Sequence, residues 1–287
     1  EELDPPQFGN VIISIKPKNG DYISDFDRST ILSKLKQYSL SGINQQITDL
    51  KVLFVEIDSA VYYDTTKVTN IEDLKSRITN TLTTFKKSNI NKFGGRFKYS
   101  KVCQVIDDVD SAITSNITRV LIRRNLKALI NTYAQYELCY GNKFYYIDAG
   151  FNIKSTGFKI AGSNDICYFT DTPRDDGTGV ISIVKEAQEE GKNTVVTKSA
   201  GTVDYIKGEI IINTVNITST VEPNNIIEIQ AVPESNDVIG LSDLYLDFSV
   251  SKSAINMIKD TITSGEQISG IGYKTTSSYL NGELKRI

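Results

Sequence analysis

The chain contains no histidine and no tryptophan. Without histidine there is no Ser-His-Asp or Cys-His nucleophile and no imidazole metal ligand, so any chemistry is confined to carboxylates, lysines or hydroxyls. Cysteine is scarce: Cys103, Cys139 and Cys167 are far apart, odd in number and form no Cys-x-x-Cys pair. That argues against a zinc knuckle or a disulfide framework and for free thiols in a reducing compartment. No proline occurs between Pro17 and Pro173. No apolar run is long enough to span a bilayer. The first residues, Glu1-Glu2-Leu3-Asp4-Pro5-Pro6, have neither the basic nor the apolar region of a signal peptide. With no starting methionine, and Met257 as the only one, the chain reads as a fragment of a longer protein.

What is present fits a globular chain. The 287 residues are 39% hydrophobic and 23% charged, and that length implies roughly two domains. Charge divides the chain modestly: residues 1–140 carry +3 and residues 141–287 carry −6. Two differently charged faces explain this better than a nucleic-acid tail.

In the first half, Val11–Ile15 reads as a strand buried on most sides, between Pro5-Pro6 and a Pro17-to-Gly20 turn. Arg28–Tyr38 reads as a helix capped by Asp27, with Ile31, Leu35 and Tyr38 inward. Leu50–Ile57 is strand-like, and Ala60–Tyr63 continues or pairs with it. Asn70 caps a second helix, with Asp73 as a capping-box-like partner and a stripe of Ile71, Leu74, Ile78, Leu82 and Phe85. A third helix covers Ser100–Val109, although the acids at its end favour an earlier stop. Ile117–Arg124 is a strand, residues 125–131 fit strand or helix, and Tyr133–Tyr140 alternates as a strand does. This order predicts a split-βαβ-like mixed sheet with helices over residues 1–140.

The second half predicts short strands: Phe144–Asp148, Asp165–Thr170, Gly179–Lys185, Thr194–Lys198, Thr202–Ile206, Glu209–Val215 and Ile226–Val232, with Lys207-Gly208 as a hairpin turn. The spacing indicates a mainly antiparallel, β-sandwich-like or barrel-like domain over residues 141–250. Residues 251–287 are a C-terminal segment, part of that domain or an interface element. Within it Ser253–Ile262 fits a helix or an extended chain. The fold class expected is α+β.

Local motifs favour plain structural roles. Phe93-Gly94-Gly95-Arg96-Phe97 lacks the Lys-Ser/Thr pair of a phosphate loop and reads as a turn. Lys86, Lys87, Lys92, Arg96, Lys98 and Lys101, interleaved with aromatics, could line single-stranded nucleic acid. In a net-acidic chain they read as a solvated loop with its aromatics turned inward. Arg119 and Arg123 share a strand face and could pair with acids across an interface, and Arg124 is expected to be solvated like them. Asp171 to Gly179 is acidic and glycine-rich but lacks the closing Glu of a calcium loop. Glu189-Glu190 and Asp107-Asp108 are ordinary acid pairs, and the sequons at Asn116 and Asn216 have no consequence without secretion. The residues point to no catalytic, cofactor-binding or metal site.

The stretch from Pro5 to Ser39, PPQFGNVIISIKPKNGDYISDFDRSTILSKLKQYS, resembles the strand-turn-helix segment of the J-like baseplate family, the wedge proteins of contractile-tailed bacteriophages. The stripe of residues 71–85 followed by NKFGGRFKYSKVCQVID, and the hairpin GTVDYIKGEIIIN at Gly201–Asn213, resemble it too. Within that family the likeness is to the larger, ring-forming wedge subunits of T-even-type phages, of which this chain would be a C-terminal part.

The resemblance implies a structural virion protein of the tail baseplate, assembled in the host cytoplasm, and not an enzyme. Its partners would be copies of itself through homodimer contacts, other wedge subunits and the central hub, with no nucleic acid, membrane insertion or cofactor. It implies wedges joined into a ring that rearranges when sheath contraction is triggered, moving about subunit contacts or the segment Tyr140–Gly150. Two alternatives remain: a β-rich adhesin or tail-fibre-type surface-binding module using loops of residues 141–287, and a hydrolase built on two facing carboxylates.

Overall fold

In the computed structural model, residues 9–18, 23–40, 42–48, 50–146, 151–186, 193–261, 277–280 and 283–286 are described. The Pro5-Pro6 fence, the end of the Pro17-to-Gly20 turn, Glu189-Glu190 and residues 147–150 lie outside them.

The chain begins with a small βαβ unit. Strands β1 (Asn10–Ser14) and β2 (Asn44–Thr48) pair in parallel, and helix α1 (Asp25–Tyr38) connects them. The helix starts three residues earlier than the sequence suggested. Ser24 is the N-cap and its hydroxyl accepts from the Asp27 amide at 3.1 Å, which places Asp27 inside the first turn. Strand β1 forms where expected but is not buried: Val11 and Ile12 are 44% and 45% exposed, because its sheet has only two strands.

The main sheet is built on β3 (Lys51–Tyr63), a single strand rich in β-branched and aromatic residues. Helix α2 (Ile71–Phe85) follows, capped by the Asn70 side chain, which accepts from the amides of Glu72 and Asp73. Leu74, Ile78 and Leu82 are buried, while Ile71 at the first turn is exposed. A π-helical turn at Lys86–Ile90 leads into β4 (Lys92–Phe93) and β5 (Arg96–Phe97). Helix α3 (Tyr99–Asp107) stops short of Val109 and buries Val102 and Ile106. It packs on β6 (Ile113–Lys127), which runs antiparallel to β3 along nearly its whole length. Residues 125–127 therefore belong to the strand. Leu53, Val55, Ile57, Val61 and Tyr63 alternate into the core.

The second half contains β7 (Tyr133–Cys139), β8 (Lys154–Ser155), β9 (Phe158–Ile160), β10 (Cys167–Pro173), β11 (Thr178–Glu186), β12 (Asn193–Asp204), β13 (Glu209–Thr220) and β14 (Ile226–Ala231). Its pairings are antiparallel. They close on themselves: β11 pairs β12, β12 pairs β13, β13 pairs β9, β9 pairs β10 and β10 returns to β11. Phe158 and Phe169 stack inside at 4.4 Å, and Ile181, Ile212 and Ile217 are buried in the same core. The strands expected at Thr194–Lys198 and Thr202–Ile206 are one strand, β12. Around Phe144, where a strand was expected, there is only an isolated bridge to Pro233. Strand β14 joins the two halves by pairing with both β6 and β8.

The chain then returns to its first half. Short β15 (Val238–Ile239) pairs β5, while β16 (Leu244–Phe248) and β17 (Ala254–Lys259) lie parallel on the edge of β3 opposite β6. Residues 253–259 are extended, not helical. Strands β18 (Ser277–Leu280) and β19 (Glu283–Arg286) form a separate antiparallel pair. The fold is α+β, with helices on one face of a mixed sheet that continues into a β-rich half.

Candidate interaction surface

The charged groups inside the fold are committed to holding it. Arg123 Nε donates to Glu56 Oε1 at 2.6 Å and its Nη1 to Glu228 Oε1 at 2.9 Å. The guanidinium also meets Asn125 and lies 4.2 Å from the Phe54 ring centroid. Lys252 reaches Glu228 from beyond β16, and Gln230 donates to the other Glu56 oxygen at 2.9 Å. The expectation that Arg123 pairs across an interface is corrected: register sets it opposite Phe54 of β3 and Gln230 of β14, so that the buried guanidinium reaches Glu56 and Glu228 diagonally within the same chain. Arg124, expected to be solvated, is also buried and donates to the Cys139 carbonyl. Arg119 is exposed, paired in register with Asp58.

The acidic glycine-rich stretch does not converge on an ion. Asp171 is fully buried. Its Oδ1 accepts from the amides of Asn152 and Ile153 at 2.9 and 2.8 Å, and its Oδ2 from the Tyr205 hydroxyl at 2.5 Å. Burial pushes this carboxyl up, against the pull of those donors. Asp176 instead turns the β10–β11 loop by accepting from the Thr178 hydroxyl and amide, which hold its carboxyl below the usual range. Tyr146, beside this loop, packs edge-on against Tyr205 and donates to the Arg174 carbonyl, so its ring serves the fold. Among the described residues no three His, Cys, Asp or Glu side chains gather as a metal cluster.

The basic stretch behaves as a solvated loop. Lys86 pairs with Asp247 and Lys98 with Asp237, Phe97 is buried against Phe248, and Phe93 packs edge-on to Tyr245. Gly94 turns at φ 59°, as a simple turn requires. A cleft of about 290 Å³ beside it is lined by Arg96, Lys98, Asn142, Asp237 and Ile239. Much of its polar lining is spent internally: Asn142 exchanges hydrogen bonds with the Ile239 backbone at 2.8 and 2.9 Å, and Asp237 holds Lys98.

The βαβ unit carries an outward apolar surface, beside single exposed apolar residues elsewhere such as Ile117, Tyr133 and Ile206. No residue of α1 is buried. Phe26 is 78% and Tyr38 87% exposed, and Leu40 follows them into solvent. Tyr38, expected to face inward, is thus corrected to an outward position at the last residue of the helix, because a two-stranded sheet offers too little surface to cover it. Ile31, Leu32 and Leu35 are half-buried against the strands, and Ile47 on β2 is buried. Phe26 was missed because it precedes the helix start read from the sequence. A two-stranded sheet carrying one helix has too little interior to bury such residues itself.

Comparison with known proteins divides the chain where the structure does. Residues 1–48 match the family model "Baseplate structural protein gp6, C-terminal domain I", and residues 51–125 match "Baseplate structural protein gp6, C-terminal domain III". The first ends with β2 and the second begins with β3. Over 122 residues the chain is 30% identical to the baseplate wedge protein gp6 of Enterobacteria phage T4. That likeness covers 42% of this chain and 18% of that protein, so the chain spans less than a fifth of its relative.

Proposed function

We propose that the chain is a C-terminal part of a baseplate wedge protein, a non-enzymatic structural component of a phage tail baseplate. The observation that carries this is the succession of the two gp6 C-terminal matches along the chain, each falling on its own structural unit. The buried charges support it, because they are paired with one another or with backbone groups. In this reading the protein is assembled in the host cytoplasm and works in the virion. It pairs with copies of itself, contacts other wedge subunits and the hub, joins wedges into a ring and shifts when contraction is triggered.

Mass spectrometry and cryo-electron microscopy of purified particles test the placement. The chain is expected in stoichiometric amounts in the baseplate density. Particles that carry a complete baseplate without it would overturn the reading. Comparing particles with extended and contracted sheaths tests the rearrangement: an identical subunit arrangement in both states would remove that part of the proposal.

A further inference from the structure

We infer that the outward face of α1 is a self-complementary docking surface for α1 of a second copy of this chain, packed antiparallel about a two-fold axis. Its biological setting rests on the assembly reading above, but the geometry is argued from the helix itself.

Phe26, Thr30, Ser33 and Gln37 recur at helical spacing along one stripe, and all are exposed. The opposite stripe, Ile31, Leu32 and Leu35, faces the two strands. The outward stripe thus holds one large apolar ring at its start and small or slim polar residues through its middle. Two such stripes laid antiparallel are complementary: Phe26 of each copy covers the Ser33 and Gln37 region of the other. Thr30 and Ser33 let the two backbones come close at the centre.

The charges beside the stripe select that arrangement. Asp25 and Lys36 lie on one flank, and Asp27 and Lys34 on the other, at the angles a 3.6-residue repeat dictates. With the two-fold axis between Thr30 and Ile31, Asp25 of one copy lies opposite Lys36 of the other. The same axis puts Asp27 opposite Lys34, because both pairs are centred on the same point of the sequence. Symmetry doubles each contact, as an isologous interface requires. A parallel alignment in register would instead bring acid to acid and lysine to lysine, which repel. Within the chain, none of Asp25, Lys34 and Lys36 forms an ion pair among the described residues, and Asp27 accepts only from Ser24. Inside the chain Asp25 and Asp27 in the first turn and Lys36 in the last only complement the helix dipole, and all of them, with Lys34, stay exposed to a second copy.

The test is sedimentation equilibrium of the full chain over a range of concentration and salt. Wild type is expected to self-associate, more weakly as salt rises. The variants Asp25→Lys/Asp27→Lys and Lys34→Glu/Lys36→Glu should each lose at least tenfold in association. Their equimolar mixture should recover it as a heterodimer, a result that general damage to the helix cannot produce. Phe26→Ser, which leaves the helix-end charges intact, should weaken association similarly. Self-association at wild-type strength in all three variants would overturn this surface while leaving the assembly reading in place. So would a mixture no tighter than its components. A wild-type chain that stays monomeric throughout would overturn both the surface and the self-association part of the assembly reading, whereas the particle experiments above judge baseplate placement separately.

Discussion

Arg123 stands in the middle of a long apolar strand, with two carboxylates and an aromatic face around it. Desolvating these charges is costly, and the pairing offsets that cost only while every member is present. Arg123→Met is therefore expected to lose about 3–5 kcal/mol of stability, because it leaves Glu56 buried without its cation and Glu228 with Lys252 alone. The triple change Arg123→Met/Glu56→Leu/Glu228→Gln should lose much less. Urea unfolding of both variants decides it, and equal losses would contradict the account. Asp171 offers a pH-dependent counterpart. Its folded carboxyl is raised by burial, so its contribution is present below its ordinary value of about 4 and fades as pH climbs through the folded value. Asp171→Asn keeps an acceptor for the Asn152 and Ile153 amides without the charge. The stability difference between wild type and this variant should be flat below about pH 4 and move against wild type above it. Parallel pH profiles would show that the three donors, not burial, set this carboxyl.

At the level of elements, what was legible is what local chemistry decides. Asn70 and the Leu74–Ile78–Leu82 stripe specify α2 by themselves, and the Lys207-Gly208 turn was visible as a break between two strands. The start of α1 was misplaced because Ser24 and Asp27 are both good caps, and only the observed bond from the Asp27 amide to Ser24 separates them. Strand β12 looked like two because Ser199-Ala200-Gly201 resembles a loop. There a glycine is needed for close approach: a Cβ on Gly201 would lie 2.2 Å from the Ile211 carbonyl oxygen. The proposed α1 face shows the same limit, since its stripe is in the sequence but which side meets β1 and β2 is not. A related close approach fastens the β12–β13 hairpin to the loop that follows β7. Gly208 sits at φ 69° with the Asn142 carbonyl oxygen 2.0 Å from where its Cβ would be. Gly208→Ala should lose at least about 2 kcal/mol, from backbone strain and displacement of that loop. Gly162→Ala, at φ 86° with nothing within 4 Å, isolates the strain and should lose roughly 1 kcal/mol. Similar melting temperatures for the two variants would remove the close approach from the explanation.

For the whole molecule, the illegible part is the set of long-range pairings. Nothing local in LYLDF or AINMIK says that these segments cross back to β3, some 190 residues earlier; that follows from an apolar strand edge needing a hydrogen-bonding partner. The Ser253 hydroxyl even accepts from the Ile57 amide at 3.1 Å, where β16 and β17 meet along β3. The first half is therefore completed by residues that follow the second, and β14 ties both into one sheet. Neither half can then open without breaking strands held by the other. Residues 51–261 are accordingly expected to unfold in one cooperative transition. Truncation after residue 240 removes both parallel partners of β3, exposes its edge and uncovers Leu53, Val55 and Ile57. Amide exchange in β3 and β6 should then accelerate by orders of magnitude, while the closed circuit of β9–β13, which contains neither lost strand, retains more of its protection. If the truncated chain keeps wild-type protection in β3, the returning strands only decorate a first half that is stable without them, and the closure argument fails.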